Sequence, residues 1–226
     1  MAFITETTDT CWNCNENPAD LQRCPCCRIA LYCDTACKHS AWEKHKRVCI
    51  AVAMPSGLPA AAVSAVRLTG GYQRPFSPEE LDVPPEHEIW GEDAHVSPVS
   101  QLVGVPIKIW REAPELSLND KRIPGMDNQS VKELMIQPEN GDAAKRWNKN
   151  IGPVIIARAN QEPLTIIVQE MIWVFCRSII ENFHDLEQPP WGRYNRAAFD
   201  KFCKGYIERA ILGGRLEEFE GLEFPL

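Results

Sequence analysis

The C-terminal half of the chain carries the clearest periodic pattern of apolar and polar residues. Across Leu164–Phe183, large apolar side chains recur at helical spacing in a stripe wide enough to predict a long, deeply buried helix. Across Phe199–Ile211, apolar residues follow the i, i+3, i+4, i+7 spacing of an amphipathic helix, and Gly213-Gly214 marks its end. Residues 215–226 are acidic and predict a loose tail.

Shorter patterns upstream predict strands. Leu102–Trp110 alternates between apolar and polar positions, Val131–Ile136 is a second candidate strand, and Pro153–Ala159 is a third with bulk on both faces. A short helix over Asp142–Asn150 separates the last two. Together these elements predict an α+β domain over residues 99–226, in which a short sheet is covered by two main helices.

Residues 51–98 contain seven of the 18 prolines in the chain, together with acidic and glycine-containing turns. This composition favours an extended Pro-rich linker with at most short helices. The alternative is that the segment contributes a strand and turns to the domain that follows it.

Charge and composition narrow the class of protein. The chain has 226 residues, of which 44% are hydrophobic and 24% charged, as in soluble globular proteins. All of its formal net charge of −7 falls on residues 51–226, so the surplus of positive charge that nucleic-acid binding requires is missing. No apolar run has the length of a membrane helix, and the N-terminus has no targeting pattern. We therefore expect a cytoplasmic or nuclear protein with reduced thiols.

Residues 11–49 hold the most informative chemistry. Seven cysteines and one histidine fall into four close pairs: Cys11 and Cys14, Cys24 and Cys27, Cys33 and Cys37, and His45 and Cys49. Two residues between cysteines form a tight turn that brings both sulfurs to one ion, and three residues between ligands place both on one helix face. Eight such ligands can close two tetrahedral zinc sites with no open position, which indicates structural rather than catalytic metal.

Two alternatives accompany the zinc interpretation. The cysteines could form disulfides, but this requires an oxidising compartment and leaves the histidine without a role. The ligands could also be divided sequentially between the ions or in interleaved fashion, and the sequence alone allows both. Cys26 is the spare cysteine, because Cys27 keeps the two-residue gap from Cys24.

The whole spacing of residues 11–49 resembles the MYND-type zinc finger, as do Trp12 inside the first pair, Tyr32 before Cys33, and the closing sequence AWEKHKRVC. The resemblance implies two structural Zn²⁺ ions in interleaved, cross-braced sites. Carried over residue by residue, one ion is held by Cys11, Cys14, Cys33 and Cys37, and the other by Cys24, Cys27, His45 and Cys49. The rest of the chain bears a weak similarity to fungal MYND-finger proteins of unassigned function.

Local signals predict the elements that present these ligands. Ile29–Tyr32 suggests a short strand, and Asp34 or Thr35 is a candidate N-cap for a first helix. Ser40–Glu43 fits a capping box that would start a second helix. That second helix would present Trp42, His45 and Cys49 on one side, next to the second ion.

The resemblance also implies a partner. Several MYND fingers bind short proline-containing peptides of the Pro-x-Leu-x-Pro kind in a groove beside the second zinc, and Trp42 would form a wall of that groove. Lys38 stands where well-known peptide-binding members carry a glutamine, so the same peptide specificity does not carry over directly. The alternative for Trp42 is that it only packs the small core of the finger.

The two enzyme settings known for MYND fingers leave no signature in the chain. The methyltransferase setting requires an Asn-His-Ser triplet, which the chain lacks, and a tyrosine shortly after a Glu-Glu-Leu stretch, whereas no tyrosine follows close to Glu79–Leu81. The oxygenase setting requires His-x-Asp, which neither His87–Ile89 nor His184–Leu186 provides. We therefore expect a non-enzymatic protein whose finger serves protein–protein contact. The alternative is an enzyme with an unrecognised active site in residues 99–226.

Overall fold

The computed structural model describes residues 11–14, 16, 18, 20–27, 29–46, 49, 55, 57–69, 76–92, 94–113, 121–136, 143, 145–183 and 194–222. Within these residues the chain forms a small finger followed by a mixed α+β domain. None of the helices in these segments combines the length and the apolar character that are needed to cross a membrane.

The finger consists of a two-stranded hairpin and one helix. Strands β1 (Gln22–Arg23) and β2 (Leu31–Tyr32) pair in antiparallel orientation, and helix α1 (Thr35–His45) follows them. The N-cap of α1 is Asp34, whose carboxylate accepts a hydrogen bond from the Cys37 amide at 2.7 Å.

The described residues of the finger form one helix where the sequence predicts two. Helix α1 runs without a break through Ser40–Glu43, so the capping box predicted there does not start a new helix. Asp34 already caps the helix six residues earlier, and Ser40 is left exposed on its surface. A cap motif inside a helix has no free amide groups to satisfy, since those amides bond to the preceding turn.

A five-stranded antiparallel sheet organises the domain. Its strands are β3 (Val63–Leu68), β4 (Pro78–Val83), β5 (His95–Val96), β6 (Ile107–Arg111) and β7 (Val154–Arg158). They lie in the order β4-β3-β7-β6-β5, so β4 and β5 form the two edges. The strand predicted over Pro153–Ala159 is confirmed, and its place at the centre of the sheet explains its bulk on both faces.

The segment expected to be a linker, residues 51–98, supplies three of these strands. Strands β3 and β4 pair along six residues each, and β5 closes the other edge. The alternative of a strand and turns belonging to the domain therefore describes this segment better than an extended connector. The composition did not indicate strands because β4 begins with proline and exposes three acidic residues. Within a sheet, such residues are tolerated mainly on an edge strand.

Four helices pack against one face of the sheet and share its main core. They are α2 (Ser100–Val103), α3 (Gln129–Leu134), α4 (Ile166–Phe183) and α5 (Arg196–Leu212). The two long helices predicted from periodicity are confirmed as α4 and α5, and Gly213 ends α5. A second, smaller core covers the other face of the sheet, where a 3-10 turn at Glu88–Trp90 buries Ile89.

Two of the three predicted strands need correction. Val131–Ile136 falls largely within α3, which Asn128 caps by accepting a hydrogen bond from the Val131 amide at 3.3 Å. Its apolar residues fit helical and extended spacing equally well, so the local pattern did not decide between them. The strand expected over Leu102–Trp110 is shortened to β6, because α2 and a left-handed Gly104 (φ 67°) occupy its first half.

The helix predicted over Asp142–Asn150 is represented by a 3-10 turn at Lys145–Trp147, while Asp142 lies outside the described residues.

The loose tail predicted over residues 215–226 is wrong for its described part, residues 215–222. There a 3-10 turn buries Phe219, and the Arg215 guanidinium binds both carboxylate oxygens of Glu170 at 2.7 and 3.1 Å.

Candidate metal centre

The hairpin and helix α1 bring the eight predicted ligands together in two clusters. Within each cluster the donor atoms all lie within 4.8 Å of one another. Site 1 consists of Cys11, Cys14, Cys33 and Cys37. Site 2 consists of Cys24, Cys27, His45 and Cys49. The chain therefore adopts the interleaved arrangement, not the sequential one.

The antiparallel hairpin explains why the sites interleave. Cys24 and Cys27 lie in the turn that follows β1, whereas Cys33 follows the last residue of β2 and so lies at the opposite end of the hairpin. Helix α1 spans both ends, because Cys37 in its first turn and His45 at its end are separated by about 12 Å of helix rise. Each end of the hairpin therefore shares one metal site with helix α1, and the two sites hold the finger together.

The distances in site 2 fit a tetrahedral zinc ion. Zn–S bonds of about 2.3 Å and Zn–N bonds of about 2.0 Å give tetrahedron edges of about 3.8 Å between sulfurs and about 3.5 Å between sulfur and nitrogen. Nε2 of His45 lies 3.4 Å from the Cys24 sulfur and 3.5 Å from the Cys27 sulfur. The sulfurs of Cys24 and Cys49 are 3.9 Å apart.

Site 1 has the same dimensions with four sulfurs. The Cys14 sulfur lies 3.5 Å from that of Cys33 and 3.9 Å from that of Cys37.

All ten cysteines of the chain belong to the described residues, and all are free thiols. The disulfide alternative therefore does not describe this finger.

The crowded sulfurs of site 1 require a positive ion. Burial would raise the pKa of Cys11, but the amides of Cys14, Asn13 and Cys33 donate to its sulfur and lower that pKa to about 6. Desolvation and the neighbouring sulfurs of Cys14 and Cys11 raise the pKa of Cys33 to about 12. Four thiolates can ionise together only around a cation, and Zn²⁺ supplies that charge when bound.

His45 is kept as a neutral imidazole, the form that binds metal. Burial lowers its pKa, and the positive charge of Lys38 lowers it further. The rings of Trp12, Tyr32 and Trp42 surround the imidazole, with centroids 5.8, 6.0 and 6.0 Å away. These three rings hold Nε2 in its orientation toward the sulfurs of site 2.

The remaining cysteines do not join either site. Cys26 is exposed and lies outside both clusters, as its spacing predicts. Cys176 in α4 and Cys203 in α5 are buried, and burial raises the pKa of Cys203 to about 12 and that of Cys176 as well. Both stay protonated and pack as small apolar side chains.

The two residues predicted to contact a peptide lie together on α1. Trp42 is 41% exposed although one side of its ring contacts His45. Lys38 precedes it by one helical turn and therefore lies on the same face. We call this face, formed by Trp42 and Lys38, the peptide surface.

The finger also contacts the domain, which no sequence signal predicts. Val96 of β5 is buried in the same apolar cluster as Ile29 of the finger. A cavity of about 40 Å³ is lined by Trp12 on the finger side and by His95 and Trp147 on the domain side. We call this contact the seam. It lies at β5, an edge strand of the sheet. The apolar residues around Ile29 indicate burial but not the element against which they pack.

His95 is the most perturbed group in the seam. Burial lowers its pKa to about 3, and the charges of Arg146, Arg23 and Arg111 act in the same direction. Its ring packs edge-on against Trp147 with the centroids 5.2 Å apart. His95 is therefore a neutral side chain that belongs to the packing between finger and domain.

Two closed four-ligand sites braced by one hairpin and one helix define a structural two-zinc finger of the cross-brace class. The family model of the MYND finger matches residues 11–49, and this segment is a MYND-type zinc finger. Such a finger is a zinc-binding module for protein–protein interaction.

Three curated relatives match the chain over the finger. Over 44 residues the chain is 46% identical to Protein CBFA2T2 of Xenopus laevis, and 43% identical to Protein CBFA2T2 of Mus musculus and of Homo sapiens. Each match covers 20% of this chain and only 7% of the length of the relative. No solved structure gives a significant match to the chain.

Proposed function

We propose that the finger binds proline-containing peptides of partner proteins on the peptide surface. The observation that carries this proposal is the exposed indole of Trp42, which His45 and site 2 hold on a rigid helix. A fixed aromatic face is the feature against which proline rings pack, because it loses little entropy on binding. The zinc ions shape this surface without touching the peptide, since both sites are closed.

Lys38 gives the peptide surface a preference of its own. Lys38 lies one turn from Trp42, on the same face of α1, and brings a positive charge to that face. A peptide with an acidic residue next to its prolines would pair with this charge, whereas a glutamine in its place would favour neutral peptides. The charge therefore tunes which proline-containing peptide is chosen.

Titration of the zinc-loaded chain with a labelled Pro-x-Leu-x-Pro peptide tests the proposal, with fluorescence anisotropy as the readout. Trp42→Ala should weaken binding at least about tenfold, as expected when an aromatic anchor is lost. Leu212→Ala, which truncates another exposed apolar side chain, should leave binding unchanged. Equal binding by Trp42→Ala and the wild-type chain would contradict the proposal.

A second titration tests the role of Lys38. Two peptides that differ only in one acidic residue beside the prolines should be distinguished by the wild-type chain. Lys38→Gln should reduce this preference while it retains binding of the neutral peptide. If the preference survives in Lys38→Gln, its origin lies elsewhere on the finger.

We also propose that the protein is not an enzyme and that it acts in the cytoplasm or nucleus, where thiols stay reduced for zinc. In support of a structural role, ionisable groups with shifted pKa values in the described part of residues 99–226 hold elements together. Burial raises the pKa of Glu133, which accepts a hydrogen bond from the Trp173 indole. Tyr206 donates to Glu170, to which Arg215 is also bound. Turnover of a substrate that requires Glu133 or Glu170 would contradict this.

A further inference from the structure

The two edges of the sheet differ in what covers them. The β5 edge lies in the seam, where Val96 is buried against the finger. The β4 edge has β3 on one side, and no described strand pairs with its other side. An uncovered edge exposes backbone donors and acceptors that can pair with another chain.

The register shows which backbone groups of β4 face outward. The amide of Thr69 donates to the carbonyl of Ser77 at 3.2 Å, so this pair faces inward between β3 and β4. In an antiparallel pair, hydrogen-bonded and non-hydrogen-bonded residue pairs alternate. The backbone N–H and C=O groups of Glu80 and Asp82 therefore point away from β3, toward the open edge. Consistent with this, the carbonyl of Ser64, opposite Asp82, accepts its hydrogen bond at 2.9 Å from the far side of β3. The N–H and C=O groups of Glu80 and Asp82 have no partner among the described residues.

A cavity of about 340 Å³ lies next to this edge. Its apolar wall comes from the first turn of α4 and from the C-terminal turn, with Ile166, Ile167 and Leu222. Its rim carries three carboxylates, those of Glu80, Glu218 and Glu220. We call it the acidic cavity.

Contacts that stabilise the fold explain only some of these three carboxylates. Glu218 is neutralised by Arg215 at 2.5 Å, and carboxylates near the start of α4 interact favourably with the helix dipole. Glu80 and Glu220 form no ion pair with a described residue. Neither effect explains a cavity with an apolar wall beside unpaired backbone groups.

We propose that the β4 edge binds an extended basic segment of a partner protein as a sixth strand, with a lysine or arginine side chain in the acidic cavity. The outward groups of Glu80 and Asp82 repeat every second residue, as strand pairing requires. An added strand lies about 4.8 Å from β4 and points alternate side chains toward α4, where the cavity opens. The apolar wall accepts the methylene stem and the carboxylates accept the charged head.

Charge selects this occupant over a second copy of the chain. Pairing of β4 with β4 would place the acidic side chains of two copies opposite each other, which destabilises a strand pair. The acidic surplus of residues 51–226 disfavours an acidic partner in the same way. A basic segment is the occupant whose charge complements the edge.

Three labelled eight-residue peptides test the proposal on the wild-type, zinc-loaded chain by fluorescence anisotropy. The first alternates lysine and valine, the second alternates glutamate and valine, and the third is the first with alternate backbone amides N-methylated. The first should bind, the second should not, and the third should bind at least about tenfold more weakly because it cannot pair with an edge strand. Equal binding of the first and third would show general attraction to an acidic surface and overturn the proposal.

Variants locate the site. Glu80→Lys and Glu220→Lys should each weaken binding about tenfold, whereas Glu181→Lys, at the other end of α4, should not. Asp82→Pro should weaken binding more than Asp82→Asn, because proline removes an outward N–H and no bond to β3. The binding should survive Trp42→Ala, which separates this edge from the peptide surface. Loss in Trp42→Ala, or equal loss in Glu181→Lys and Glu80→Lys, would overturn the assignment to β4.

Discussion

Cys26 and Cys27 are neighbours in the chain, yet only Cys27 reaches a metal site. The turn after β1 buries Cys27 against Nε2 of His45 and leaves Cys26 exposed. Ligand geometry therefore distinguishes two chemically identical residues, because a tight two-residue turn places only Cys24 and Cys27 at bonding distance of one ion.

Replacement of these two cysteines should give different zinc contents. Cys27→Ser should lose the ion of site 2 and retain at most one ion per chain, since a serine hydroxyl is a poor ligand for Zn²⁺. Cys26→Ser should retain both ions and serves as the matched control. Elemental analysis of dialysed protein measures the difference, and equal zinc in the two variants would contradict the assignment.

His95 should make the stability of the domain depend on pH. Its native pKa of about 3 lies below the value of about 6.5 expected for an unfolded chain, so the unfolded state binds more protons between these values. Stability should therefore fall as the pH drops below about 6.5, by at most about 1.4 kcal/mol per pH unit. Urea unfolding at pH 7.0 and 5.5 measures this, and His95→Asn should flatten the dependence.

The control for this experiment is His39→Asn, which alters an exposed histidine on α1 and should keep the wild-type pH dependence. Identical pH dependence in the wild-type chain and His95→Asn would exclude His95 as its source.

The elements of the finger are too small to hold together without metal. Its strands are two residues long, and its apolar cluster contains few large side chains. A unit of about forty residues buries too little apolar surface to fold alone. Structural zinc contributes on the order of 10–16 kcal/mol in small fingers, enough to account for the fold.

Removal of zinc should unfold the finger and leave the sheet intact. Hydrogen exchange after treatment with a strong chelator should show loss of protection in α1, while β7 at the centre of the sheet stays protected. Elemental analysis confirms that the metal has left. Persistent protection of α1 in metal-free protein would show that the helix does not depend on the ions.

At the scale of the whole molecule, the seam couples finger and sheet. Val96 is 8% exposed and belongs to the apolar cluster of the finger. A charge at this position would lose hydration without gaining a partner. The finger thus packs at β5, an edge strand of the sheet, in addition to presenting the peptide surface.

Val96→Asp should release the finger from the domain, at a cost of about 3 kcal/mol, without removing zinc. Limited proteolysis should then cut between the finger and β3 faster than in the wild-type chain, while the zinc content stays at two ions. Val96→Ala is the milder control and should be cut at a rate closer to the wild type. Unchanged proteolysis of Val96→Asp would show that the seam does not hold the finger.

The sequence by itself determined the ligand set and the two long helices. Metal geometry restricts ligand pairs to a few residues of separation, and the apolar stripes of α4 and α5 repeat with the period of the helix. These signals are local, so the residue order contains them in full. The resemblance to MYND fingers added the interleaved pairing, which spacing alone left open.

Only the tertiary structure decided where β3 and β4 lie, whether Val131–Ile136 is helix or strand, and how the finger meets the sheet. Each of these depends on contacts between residues far apart in the chain, such as the pairing of Val66 with Ile156 or the burial of Val96 beside Ile29. A local pattern of apolar and polar residues states that a side chain will be buried. It does not indicate which residue the side chain packs against, because the packing energy of the whole fold determines that partner.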